Sequence, residues 1–149
     1  MDNPIWACRN VRLGDVKPPQ ETIIRTHAEL ADFWSNLIRA TGPGPRTLWL
    51  ILIEDGGQVL PTIIPIDDVE ARPDLQLIEE LGRVVSEVSG EHRASAAFLL
   101  ARPGSETMTS PDREWARALD AIARDRRWPV HLASGGRVQV FAPDDLIAA

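Results

Sequence analysis

Hydrophobic positions along this chain follow two periods, and each change of period marks an element. Leu30, Phe33, Trp34, Leu37 and Ile38 recur at spacings of three and four and predict one apolar helix stripe. Thr26-His27-Ala28-Glu29 opens it as a capping box: the Thr26 hydroxyl accepts from the third helical N–H, and Glu29 reaches back to the Thr26 N–H. The helix ends before Thr41-Gly42-Pro43-Gly44-Pro45. That segment is a spacer and a poor phosphate cradle, because its prolines carry no N–H. Ahead of the helix, Thr22-Ile23-Ile24-Arg25 reads as a short strand. Residues 1–21 show no period and are broken by Pro18-Pro19. They read as an arm that Ile5 and Trp6 pin to the domain or to a partner.

Thr47 to Ile53 is apolar on both faces, the pattern of a strand covered on both sides. A turn at Glu54-Asp55-Gly56-Gly57 leads to a second strand from Gln58 to Ile66. Pro61 and Pro65 place that strand at an edge or make it irregular. Asp67-Asp68-Val69-Glu70 reads as a solvated acidic loop, since no histidine joins its carboxylates as a metal ligand. Pro73-Asp74 opens a second helix. Its buried face takes Leu77 or Ile78, Leu81, Val84 or Val85, and Val88, and Gly90 stops it. Ala94 to Leu100 is the next strand. Ser110 caps a third helix with Pro111 at its first position and Trp115, Ala118, Leu119 and Ile122 as its stripe. Arg124, Arg126 and Arg127 close it as a solvated basic end that suits the helix dipole, and Pro129 terminates it. Val130 to Ser134 and Arg137 to Phe141 flank Gly135-Gly136, a hairpin signal. Leu146-Ile147 can dock the tail back.

The order of elements, one helix, a strand pair, a helix, a strand, a helix and a hairpin, describes one α/β domain over residues 22–149. The 149 residues suffice for one real core, and no internal repeat divides them. No run of about 18 apolar residues exists, so a membrane span is not expected. Met1-Asp2-Asn3-Pro4 lacks the basic and apolar regions of a signal peptide, and Cys8 is the single cysteine. Both fit a cytoplasmic protein. A net charge of −6 argues against nucleic acid or an anionic membrane as partner. Basic residues are nearly all arginine, Lys17 being the one lysine.

Catalytic groups are scarce. His27, His92 and His131 fall at a helix start, in a loop and in a strand, with no spacing that pairs two imidazoles on a metal. Cys8 has no feature that would activate its thiolate. There is no nucleophile elbow, P-loop or dinucleotide-binding glycine motif. Ser105 and Ser110 lie near a helix start, but spacing assigns neither of them a base.

The element order, together with the junction Leu100-Ala101-Arg102-Pro103-Gly104-Ser105 running to Ser110-Pro111-Asp112-Arg113, resembles the JAB/MPN metalloprotease-like fold in its bacterial RadC-like branch. The resemblance spans roughly Thr22 to Phe141. It implies a three-layer arrangement of the JAB/MPN and cytidine-deaminase kind, a mixed sheet flanked by helices. Active members carry His-x-His, seven residues, Ser, two residues and Asp as a zinc motif. On that pattern the first two ligand positions are Leu100 and Arg102, Ser110 matches, and Arg113 stands where the Asp would be, with Asp112 one residue early. Aligning Trp49 with an aromatic of the family's first long strand puts Arg46 at the catalytic glutamate. Leucine offers no lone pair, and a guanidinium repels a cation. The resemblance therefore implies a degraded centre with no metal, no cofactor and no metal-dependent peptide hydrolysis.

Two functions follow as expectations. The first is an inactive domain acting as a protein-interaction or scaffold module, including self-association as a homodimer. The alternative is a binder of a small anion or acidic peptide through Arg46, Arg102, Ser110 and Arg113 at the vestigial metal site. Against that alternative, the arginines pair with Glu54, Glu106, Asp112 or Glu114 and form an internal salt network.

Overall fold

The computed structural model describes residues 22–123 and 128–146. The N-terminal arm with Ile5, Trp6 and Cys8, the basic cluster Arg124, Arg126 and Arg127, and Ile147 lie outside the described residues. The elements run α1 (His27–Thr41), β1 (Thr47–Glu54), β2 (Ile64–Asp67), α2 (Leu75–His92), β3 (Ala94–Ala101), α3 (Ser110–Ile122), β4 (His131–Ser134), β5 (Arg137–Val140) and a short 3-10 turn (Pro143–Leu146). The five strands form one sheet in the order β2-β1-β3-β4-β5. All pairings are antiparallel except β3 with β4, which α3 connects as a crossover.

The sheet is buried on both faces, which makes three layers. Leu48, Leu50, Phe98, Leu100 and Leu132 face Leu77, Leu81 and Val85 of α2 and Trp115, Ala116 and Leu119 of α3. Trp49, Ile51, Ile53, Ala97, Leu99 and Ala133 face Leu30, Phe33, Trp34 and Leu37 of α1. Alternation along β1 and β3 therefore serves two separate cores, and both strands read as continuous apolar runs. The chain is thus a mixed α/β protein with a five-stranded mixed sheet and three α-helices among the described residues.

Several boundaries differ from the sequence expectations. Thr22 to Arg25 is no strand; Ile23 makes one isolated bridge to Gln58. The second strand shrinks to Ile64–Asp67, with Val59 bridging Ile53 alone. Pro61 interrupts the ladder, and Thr62 N donates to Leu60 O in a tight turn. Asp67 belongs to β2 and accepts from Thr47 Oγ1 at 2.9 Å, so it is not a free loop carboxylate. Gly90 does not stop α2. The helix runs to His92, and Arg93 takes the left-handed cap at φ 50° while its carbonyl accepts from Asp55 N. His92 consequently ends a helix and does not lie in a loop. The α3 cap is Thr109, with Ser110 and Pro111 in the first turn and Asp112 completing the capping box. Its buried face uses Ala116 where Ala118 was expected, and the helix ends at Ile122, well before Pro129. The tail docks through Leu146, which packs on the α2/α3-side core.

Candidate functional site

β3 and β4 run parallel and end together at Ala101 and Ser134, where Arg102 N donates to Ala133 O. From there the chain loops through residues 103–109 into α3. The Arg102 side chain turns toward that helix and meets Asp112 as a bidentate pair, Nε to Oδ1 and NH2 to Oδ2, both at 2.8 Å. The two side chains are only 6% and 3% exposed. NH1 also donates to Pro103 O and Ser105 O, and NH2 to Thr107 O. Five hydrogen bonds thus use the five N–H groups a guanidinium possesses. The loop wraps the cation, and its carbonyls replace water.

Asp112 is shaped by the same contacts. Burial works against its ionised form, but the Arg102 hydrogen bonds, the Thr109 amide and the Arg102 charge outweigh burial and hold its carboxyl below the ordinary value near 3.8. Oδ2 accepts from Thr109 N while Asp112 N donates to Thr109 Oγ1. The residue therefore caps the helix and neutralises the arginine at once.

The other residues singled out from the sequence go elsewhere. Leu100 is fully buried between Leu48 and Leu132 in the sheet register. Ser110 is exposed in the first turn of α3. Arg113 Nε lies 3.7 Å from Asp145 Oδ1 at the 3-10 turn. Arg46 is half-buried, and its carbonyl accepts from Val69 N. Glu114 pairs with Arg72 and Glu106 with Arg137. Arg102 is left with no N–H for an external anion. Among the described residues no group of three His, Cys, Asp or Glu could hold a metal ion.

A cavity of about 560 Å³ adjoins this junction. Its floor is Trp49, Ala101 and Ala133, from the α1-side core. One wall is the spacer Gly42-Pro43-Gly44-Pro45 and the other the β4–β5 turn Gly135-Gly136. By local pattern both are mere connections. What makes them a site is position: each connection lies at the end of the sheet where the parallel strands β3 and β4 terminate, the usual place for a crevice in α/β proteins.

No protein-family model and no curated protein matches the chain. No helix of the described residues is long and apolar enough to cross a membrane.

Proposed function

We propose that the chain is a non-hydrolytic JAB/MPN-like domain of the RadC-like kind that works as a protein-interaction module in the cytoplasm. The observation that carries this reading is the buried Arg102–Asp112 pair. It stands where the resemblance would put a zinc ligand, and it uses the nearest carboxylate as a counter-ion. Leu100 beside it has no donor atom, and a saturated guanidinium occupies the space in which a cation would need electron pairs. Without a bound metal, water at this junction has no Lewis acid to lower its pKa. A fold that keeps the scaffold and fills its centre with an internal lock retains its surfaces. Ile23, Leu75 and Val140 are the large apolar side chains exposed on them among the described residues.

Elemental analysis of protein expressed with added zinc tests the reading. The expected zinc content is far below stoichiometric and is the same in Asp112→Asn. A full equivalent of zinc that disappears in Asp112→Asn would overturn it, as would peptide hydrolysis abolished by a chelator.

A further inference from the structure

We infer that the cavity beside β3 and β4 binds an amphipathic organic anion, an apolar ring or chain carrying a carboxylate-like head. The site lies on the α1 side of the sheet and uses residues outside the degraded zinc motif for its charge. Its volume of about 560 Å³ suits a small molecule. Ala101, Pro43 and Pro45 supply apolar contact above the buried Trp49 and Ala133.

Charge decides the ligand class. The chain carries 22 acidic against 16 basic side chains, yet among the described residues the cavity lining holds three arginines and no carboxylate. Arg102 is already neutralised by Asp112. Arg39 donates to the neutral amide of Asn36 at 3.2 Å and has no ion-pair partner among the described residues. Arg137 faces Glu106 only at 3.8 Å, with both side chains more than half exposed, a pairing worth little in water. The last turn of α1 and the first residue of β5 thus bring two available cations to the rim of an apolar cavity.

The probe is 8-anilinonaphthalene-1-sulfonate, an apolar body with an anionic head, set against uncharged N-phenyl-1-naphthylamine, both followed by fluorescence on the full chain. The wild type is expected to bind both. The Arg39→Glu, Arg137→Glu double variant is expected to weaken the sulfonate about tenfold while leaving the neutral probe within about twofold. Both arginines are exposed, so the fold should tolerate the change. Ala101→Phe is expected to weaken both probes by filling the floor. Amide shifts in the wild type supply an answer that needs no variant: they should centre on Gly42, Trp49, Gly135 and Gly136. Absence of sulfonate binding, equal loss of both probes in the double variant, unchanged sulfonate binding there, or shifts centred elsewhere would each overturn the inference.

Discussion

At the scale of residues, a buried ion pair and a buried histidine set the chemistry of the molecule, each held in one charge state. Breaking the Arg102–Asp112 pair strands the other charge in a dry place. Arg102→Leu or Asp112→Asn alone is expected to cost about 3–5 kcal/mol in urea unfolding. The paired Arg102→Leu, Asp112→Leu variant should recover a large part of that loss, since an apolar pair leaves no orphaned charge. A double variant as unstable as the sum of the singles would mean that the carbonyl contacts, and not the ion pair, hold the loop. The Asp112 contribution is present above the ordinary carboxylate range and is lost as pH falls through its lowered pKa. His131 acts at higher pH. It is 2% exposed, and burial pushes its pKa down from 6.5 to about 4, against the Pro129 carbonyl and with the help of His27. A carbonyl only accepts, so the 3.2 Å contact puts the ring proton on Nδ1. The unfolded chain takes up a proton near pH 6.5 and the folded chain only near 4. Stability is therefore full above pH 6.5 and falls between the two values, by up to ~1.4 kcal/mol per pH unit. His131→Gln should flatten that slope in unfolding titrations across the window; an unaltered slope would assign it to other groups.

At the scale of elements, the turn between β4 and β5 fixes the loop that wraps Arg102. Gly135 sits at φ +59°, and a Cβ there would lie 2.8 Å from the Glu106 backbone nitrogen. Gln139 Nε2 donates to Glu106 O from the same hairpin. Gly135→Ala is expected to destabilise by about 1–3 kcal/mol through backbone strain and displacement of Glu106, measured by thermal unfolding. Gly136, with open space around its Cβ position, should cost less on the same change. A larger loss at Gly136 would contradict the close approach. Periodicity and turn chemistry made most elements legible. The α1 stripe and the Thr26–Glu29 capping box, the both-faced apolar run of β1 and the Gly135-Gly136 hairpin all stand where local patterns place them. What local patterns missed was decided by tertiary partners. Gly90 reads as a stop, but Arg93 supplies the left-handed cap and ties it to Asp55. Ser110 reads as a cap, but Thr109 wins because Asp112 completes its box and gains Arg102. Of the candidate site, the scarcity of metal-ligating side chains at the β3–α3 junction was visible in residue types alone. The five-bond wrapping of Arg102 was not, because three of its acceptors are backbone carbonyls that any sequence offers.

At the scale of the whole molecule, the sheet ends in two strands of opposite character. β2 presents Pro65, which has no N–H to offer, and is a poor template for another chain. β5 has β4 on one side and, among the described residues, no strand on the other. Val140 there is 47% exposed, and no lysine or proline guards the strand. Two copies pairing through β5 about a two-fold axis would extend the sheet and cover Val140 symmetrically. Because β5 is only four residues long, such pairing should be weak and concentration-dependent. Light scattering on the full chain is expected to show mass rising with concentration, and Val140→Lys should hold it at the monomer without lowering the unfolding midpoint. A wild-type chain that stays monomeric throughout would remove self-association from the proposed function, and the interaction surface would then have to be sought at Ile23 or Leu75.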